Sequence, residues 1–502
     1  MVSDGGVKTG RRSHAVCDAR SEIRMKRLLF LLASVLLVGA SSAEAARPNV
    51  LFIAIDDLRD DLGCFGVEHA KTPQMDAFAA TARAFSRHYI QVPTCGASRC
   101  AMLRGRYPDR PVHLVNDAIR DSQSDWAADS MAAVFRRNGY ATMALGKVSH
   151  YPGNLTGKDW TVGPEELPGA WDRAWVPDGP WPSPEGIMHG FANGVPRERG
   201  KSPPYQHVDG PDTAYPDAWV AGDAVATLQR LAKQDKPWFF GVGFFKPHLP
   251  FASPKKWFDL HDKNVPDLPA DLAQKPAWPA YWYDGGELRN NYGHEPGRDP
   301  ATDPEYARLL RQAYAGCVSY MDAQLGRVIA ALGELGMADN TIVVVWSDHG
   351  FLLGEHAIWG KHCLYEDAVR SPLMIRVPGM AAPGKTSNAI VETVDIFRTL
   401  ADLCDIEAPA QLSGHSLRPQ LDDPQQPTTK PALGWWSNGV QTVRTERWRL
   451  IVTPHEKGAP DLELFDYTAA SPETTNLAAA QPAIVQELLG FLQPVKSEAA
   501  KP

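Results

Sequence analysis

The sequence has no disulfide framework and no zinc-ribbon pattern. Its seven cysteines include no C-x-x-C pair. Cys17 precedes a secretory-type segment, Cys95 falls in a motif taken up below, and Cys64, Cys100, Cys317, Cys363 and Cys404 form an odd, irregularly spaced set, so the fold must be stabilised by its core rather than stapled. Long charge runs are also missing. Lys plus Arg number 51 against 59 for Asp plus Glu, a net charge of −8 spread along the chain, which supplies no basic stripe for nucleic acid and makes any anion site local. Internal repeats and low-complexity tracts are absent, and no apolar run reaches the roughly 20 residues that a membrane span needs. What is present is a chain of 502 residues, 44% apolar and 22% charged, enough for one large α/β domain plus a smaller one.

Met25-Lys26-Arg27, an apolar run from Leu28 to Ala40 and then Ala43-Glu44-Ala45 have the form of a secretory signal with its cleavage site. The expectation is a true start at Met25, an upstream extension and signal over 1–45, and a periplasmic or secreted protein without a stable membrane anchor.

Four short apolar runs each end abruptly in charged or imidazole residues. Val50–Ile55 ends in Asp56-Asp57, Tyr140–Leu145 in Gly146-Lys147-Val148-Ser149-His150, Trp238–Phe245 in Lys246-Pro247-His248, and Ile342–Trp346 in Ser347-Asp348-His349-Gly350. Runs that are apolar throughout fit central strands covered on both faces. Helical spacing lies between them. Thr72-Pro73 opens a segment with Met75, Phe78, Ala82 and Phe85; another helix runs from near Ser130 to Gly139; Val220, Ala224, Leu228 and Leu231 share a face; and Pro304 to Leu335 is long and helix-like. Alternating strands and helices predict a mostly parallel sheet with all four polar clusters at its carboxyl edge, where ligands bind.

Residues 151–215 and 249–302 lack periodicity and carry Trp160, Trp171, Trp175, Trp181, Trp278 and Trp282; they read as long loops that either build a substrate rim or are packed down by their aromatics. Beyond about residue 410 the segments 441–452 and 462–467 read as strands and 484–492 as a helix. The expected division is a catalytic domain over 46–410 and a smaller α+β subdomain with an antiparallel sheet over 411–497.

The most chemically loaded segment is Cys95-Gly96-Ala97-Ser98-Arg99, set before the helix-capable Cys100-Ala101-Met102-Leu103. It brings a thiol, a hydroxyl and a guanidinium to a helix N-terminus, whose unpaired N–H groups and positive dipole favour an anion. Taken alone, Cys95 reads either as a thiolate nucleophile with its pKa lowered by Arg99 and the helix end, or as a small buried thiol beside Cys100.

With Leu103-Arg104-Gly105-Arg106 after it, the pentapeptide resembles the C-x-(P/A)-S-R signature and extension of type I sulfatases, which a formylglycine-generating enzyme reads as it converts the cysteine to formylglycine (3-oxoalanine). Lys147 and His150, the run Lys246-Pro247-His248-Leu249-Pro250, and Gly354-Glu355-His356-Ala357-Ile358-Trp359-Gly360-Lys361 resemble the iduronate-2-sulfatase branch of that family. The resemblance covers nearly all of 47–410 and implies an alkaline-phosphatase-like α/β fold, a large mixed, mostly parallel sheet flanked by helices.

Adjacent carboxylates on a regular strand point to opposite faces, so Asp56 and Asp57 share a ligand only if the backbone turns at the strand end. Asp348 at a second strand end adds another oxygen, and clustered carboxylates in a cleft need a cation, of which Ca²⁺ and Mg²⁺ are the hard divalent candidates. The resemblance implies that Asp56, Asp57, Asp348 and His349 hold Ca²⁺ together with the modified Cys95. His349 stands where many members carry Asn.

The reaction so implied is hydrolysis of a sulfate ester by a hydrated formylglycine. Arg99 and Lys147 stabilise the nucleophile, Lys147, His248 and Lys361 clamp the sulfate, and His150 or His248 protonates the leaving oxygen. Lys246, His356 and His362 stay with a structural reading. The expected function is an exported sulfatase acting on a sulfated carbohydrate, as in glycosaminoglycan or polysaccharide degradation. One rival is a formylglycine-dependent phosphodiester or phosphonate monoester hydrolase. The other is a glycan-binding protein whose Cys95 is never modified.

Overall fold

β1 (Asn49–Ile55) is buried at all seven positions of the computed structural model, and its side chains divide between two cores. Val50, Phe52 and Ala54 join one apolar cluster, Leu51, Ile53 and Ile55 the other, as a strand of period two covered on both faces requires. The structure describes residues 47–151, 166–181, 183–261, 265–277, 283–470, 472–493 and 495; the signal segment, Met25, Trp160, Trp278 and Trp282 lie outside them.

Seven more strands complete the main sheet: β2 (Arg83–Tyr89), β3 (Ala141–Gly146), β4 (Arg173–Trp175), β5 (Trp238–Phe244), β6 (Thr341–Ser347), β7 (Leu373–Arg376) and β8 (Thr386–Glu392). Their order is β8-β2-β7-β6-β1-β5-β3-β4. β7 runs antiparallel to both neighbours and every other pairing is parallel, which makes the sheet mixed and mostly parallel as expected.

Helices α1 (Pro73–Ala79), α2 (Cys95–Arg104), α3 (Met131–Arg137), α4 (Pro216–Leu231), α5 (Pro304–Glu334) and α6 (Asp395–Leu403) flank it. α1, α4 and α5 supply the cluster around Leu51; α2, α3 and α6 supply the one around Phe52. Their starts follow local rules. Ser130 caps α3 by accepting from the Ala133 N–H, and Asp303 caps α5 by accepting from the Tyr306 N–H ahead of Pro304.

A second sheet of β9 (Ala432–Trp435), β10 (Gln441–Arg444), β11 (Trp448–Thr453) and β12 (Asp461–Asp466) is antiparallel throughout, and α7 (Pro482–Leu489) follows it. Among the described residues no helix is long and apolar enough to cross a membrane.

Strands β2, β4, β7, β8 and β9 depart from the sequence reading, β4 lying in a segment read as a loop. β2 starts only four residues after α1 ends, so Phe85, expected on the helix face, lies on a strand. The polar character of β2 hides it. Buried Arg83 donates to the carbonyls of Gln420, Ala382, Lys385, Ala381 and Leu421, which satisfies inside the protein a group that normally marks a surface. β7 and β8 were also unanticipated. The segments expected as long loops contain short pairings, Tyr205–Val208 with Phe251–Pro254, and their described tryptophans are packed down: Trp175 stacks on Phe240 at 6.0 Å and the Trp181 indole donates to the Phe191 carbonyl.

Candidate active site

Register sets the site. Ile55 pairs with Phe244 on one side and Ser347 on the other, and Gly146 pairs with Gly243, so β1, β5, β6 and β3 end at one level. The residues that follow, Asp56-Asp57, Lys246 to His248, Asp348-His349 and Lys147, therefore emerge side by side. The turn demanded of the Asp pair is present: Asp57 takes φ +62, a left-handed conformation that aspartate tolerates better than most residues. That turn is held from three sides. The Asp57 N–H donates to Asp348 Oδ1, the Leu58 N–H to Ser347 Oγ, and the Tyr314 hydroxyl on α5 donates to the Asp57 carbonyl.

Cys95 is the first residue of α2. Gly96 is required next to it, because a Cβ there would stand 1.9 Å from the Asn116 carbonyl oxygen, while the Asn116 side chain accepts from the Gly96 N–H. Ser98 Oγ donates to the Asp348 carbonyl. Arg99 ties the helix to three strand ends: its Nε donates to Asp348 Oδ2 at 2.9 Å, its second nitrogen lies 3.3 Å from Asp56 Oδ1, and the third donates to the Lys147 and Val148 carbonyls. The Cys95 sulfur faces Asp57 Oδ1 at 3.8 Å and His349 Nε2 at 3.2 Å.

Lys147 Nζ stands 2.5 Å from Asp56 Oδ2, and Lys361 Nζ 2.8 Å from Asp57 Oδ1. All of these groups are buried. Burial raises the Asp56 carboxyl, but Lys147, His248 and Arg99 outweigh it and hold Asp56 well below the usual carboxylate range. Burial, with Asp56 adding to it, pushes the Cys95 thiol well up, against the lowering that Arg99 and the helix end alone would favour. Burial and then Lys147 push His150 well down, and its Nδ1 has no hydrogen-bond partner among the described residues. Both ring nitrogens of His248 face acceptors, the Leu249 carbonyl and Glu287 Oε1.

The donor set fits a hard divalent cation. Ligand atoms of Asp56, Cys95, Asp348 and His349, and again of Asp56, Asp57, Cys95 and His248, lie within 4.8 Å of one another, and three buried carboxylates are among them, the oxygen ligands such an ion takes. With Nδ1 turned to the Gly350 carbonyl, His349 directs Nε2 into the cluster.

All of the candidate residues named from the sequence thus gather in one cleft. Lys246 is structural, its amine donating to the His248 and Pro250 carbonyls at 2.7 Å each. His362 stacks on Trp436 at 4.9 Å and His356 on Tyr365 at 4.2 Å. Sequence reasoning missed Glu287, Asn116 and Tyr314. Only Tyr314 had a signal, its place on the inner face of α5.

The sulfatase family model matches residues 48–406, and a model of the N-sulphoglucosamine sulphohydrolase C-terminal region matches 354–493. Iduronate 2-sulfatase of Mus musculus is 31% identical over 415 residues, spanning 74% of this chain and 71% of that protein. A sulfatase of Formosa agariphila is 28% identical over 479 residues, 90% of this chain and 89% of that one. Among solved structures, the phosphonate monoester hydrolase of Agrobacterium radiobacter superposes with a TM-score of 0.69 at 23% identity, across 88% of this chain and 95% of its own. A protein solved in complex with its substrate D-glucosamine-2-N,6-O-disulfate gives 0.67 at 20% identity, across 89% and 97%; at such identities these two establish the shared fold. Motifs, architecture and relatives converge, and the chain belongs to the type I sulfatase family, hydrolases of sulfuric esters, on its iduronate-2-sulfatase branch.

Proposed function

We propose that this protein is an exported sulfatase that removes sulfate from a sulfated carbohydrate, using formylglycine made from Cys95 and a divalent cation, Ca²⁺ or Mg²⁺, held by Asp56, Asp57, Asp348 and His349. The observation that carries the reading is the convergence of Cys95, three buried carboxylates and the cations Arg99, Lys147 and Lys361 in one cleft.

When present, hydrated formylglycine supplies an oxygen nucleophile whose acidity the cation raises. The remaining work falls to the chain's own side chains. Lys147, His248 and Lys361 bind the sulfate oxygens and offset charge that builds as the ester bond breaks. Arg99 fixes Asp56 and Asp348 and, with Lys147, adds positive charge beside Cys95. His248, beside Lys361 and Glu287, is the group that gives a proton to the leaving oxygen. His150, kept neutral beside Lys147, serves as a hydrogen-bonding partner in the same cleft.

A carbohydrate substrate is supported by two similar proteins, an iduronate 2-sulfatase and a fold neighbour solved with a disulfated glucosamine. Export rests on residues 25–45, and maturation requires a formylglycine-generating enzyme that reads Cys95 to Arg99. The division into a catalytic domain over 46–410 and a subdomain over 411–497 belongs to the same reading; the separate antiparallel sheet that begins at Ala432 supports it.

The test is sulfate release from defined glycosaminoglycan and algal oligosaccharides by protein purified from its native host, with mass spectrometry of the Cys95 peptide. Sulfate release by aldehyde-bearing protein is expected. Turnover of phosphonate monoesters with no sulfate release transfers the assignment to that rival, and an intact thiol with glycan binding but no turnover transfers it to a binding protein.

A further inference from the structure

The mouth of the cleft holds a carboxylate that the reaction above leaves unused. Glu287 presents one oxygen to His248 Nε2 and the other to Lys361 Nζ, each at 3.2 Å, and these are two of the three groups assigned to the sulfate. Its side chain is 17% exposed against 2% for His248 and 4% for Lys361, so Glu287 is the member of this trio most open to solvent. Burial raises its carboxyl, but Lys361 and His248 outweigh that and keep it ionised.

The contact is built into the backbone. Gly285 takes φ +88, and a Cβ there would stand 1.7 Å from the Trp359 carbonyl oxygen. A Cβ on Gly360 would in turn meet the Gly285 Cα at 3.1 Å. Two chain segments therefore touch backbone to backbone, and two residues beyond the contact on each lie Glu287 and Lys361. A side chain larger than hydrogen at 285 would push the pair apart.

We propose that Glu287 sets the charge that this cleft accepts, admitting singly charged tetrahedral esters and rejecting doubly charged phosphate monoesters. The proposal rests on the sulfatase reading, since it takes His248 and Lys361 as part of the anion clamp. Sulfate and phosphate monoesters are close in size and shape, so a pocket distinguishes them poorly by fit. They differ in charge: a sulfate monoester carries a single negative charge, a phosphate monoester about −1.5 to −2 near neutral pH. A fixed carboxylate offsets one positive charge of the clamp, so the extra negative charge of a phosphate monoester meets a like charge that the protein holds in place. Phosphonate monoesters and phosphodiesters, with one charge, pass the same filter.

The experiment compares phenyl sulfate, phenyl phosphate and phenyl phenylphosphonate as substrates of the matured full-length enzyme, its E287Q and its E287D variants, with thermal melts to confirm folding. E287Q is expected to raise the phosphate-to-sulfate ratio of kcat/KM by about tenfold or more, to leave the phosphonate-to-sulfate ratio within about twofold, and E287D to keep the wild-type ratios. An E287Q enzyme slowed equally on sulfate and phosphate overturns the proposal, because a merely structural role moves all substrates together. Should E287Q fail to fold, inhibition of the wild type by phenyl phosphate decides. It weakens as pH rises through about 6, where the ligand gains its second charge, and inhibition that is unchanged or stronger there overturns the proposal. A wild type active on phosphonate but not sulfate defeats the sulfatase reading and spares the charge filter, provided E287Q admits phenyl phosphate.

Discussion

Lys361 donates to both carboxylate oxygens of Asp57, at 2.8 and 2.9 Å, so one ammonium group neutralises the aspartate that the strand-end turn aims at Cys95. The same ammonium is assigned to the sulfate, and these two duties separate on substitution. Lys361→Met is expected to lower kcat/KM for a sulfate ester about ten- to hundredfold through loss of a charge-assisted hydrogen bond, chiefly by raising KM. It is also expected to tighten divalent-cation binding, because Asp57 loses a competing cation. Steady-state kinetics and a calcium titration of the same preparation check both.

Cys95→Ala tests the nucleophile. The sulfur's described polar contacts, 3.8 Å to Asp57 and 3.2 Å to His349, are those of a weak hydrogen-bonding group, and removing a thiol costs little packing. Turnover is expected to vanish while the melting temperature stays within about 3 °C of wild type. Retained activity would eliminate Cys95 as the source of the attacking group.

What a single dimension reveals depends on where polar groups are satisfied. β1, β5 and β6 are legible as unbroken apolar runs because both faces are covered, and the turn at Asp57 is legible as the condition under which adjacent carboxylates at a strand end share a ligand. β2 is illegible because Arg83 and His88 find their partners inside the protein. Glu287 is illegible for another reason: its meeting with Lys361 depends on Gly285 touching Trp359, 74 positions later in the chain by their numbers, and no local pattern encodes that approach.

Metal removal should be felt by the fold as well as by activity. Three carboxylates and a thiol share a buried cluster, so a bound cation stabilises the folded state in proportion to the logarithm of its concentration over its dissociation constant. Dialysis against a chelator is expected to lower the melting temperature by several degrees and abolish sulfate release, with Ca²⁺ restoring both. Asp348→Asn should mimic chelation and add a cost of about 2–4 kcal/mol, since Asp348 accepts from Arg99 and from the Asp57 N–H and its loss leaves Arg99 short of a counter-charge. An unchanged melting temperature on chelation would count against a metal in this cluster.

Lys246 acts through His248. Its amine donates to the His248 and Pro250 carbonyls, while Asp217 accepts from the Phe245 and Lys246 N–H groups, so the segment carrying the proposed acid is held from both ends. Lys246→Met leaves two buried carbonyls without that donor, at a cost of about 2–4 kcal/mol. It is expected to reduce kcat more than it raises KM, because the proton donor is displaced while Lys147 and Lys361 still bind the anion. An effect on KM alone would place Lys246 in substrate binding instead.

His88 gives the protein an acid limit through groups that take no part in the proposed reaction. Trp346 donates to Thr393 Oγ1, the Thr393 hydroxyl lies 3.0 Å from His88 Nε2, and His88 Nδ1 faces the Ser371 carbonyl. That chain of donors needs a lone pair on Nε2, hence a neutral ring. Burial lowers the ring from 6.5 to about 4. Between those values the unfolded chain binds more protons than the folded one, so the contribution is fully present above pH 6.5 and is lost as pH falls toward 4, about 3 kcal/mol in all. His261 and His362, also lowered to about 4 by burial, act in the same direction. Urea titrations at pH 7, 6, 5 and 4.5 should show stability falling across this window. His88→Gln retains a donor for Ser371 and an acceptor for Thr393 without a titrating group, and its slope against pH should be shallower than that of wild type. Equal slopes would show that His88 is not among the groups that set the acid limit.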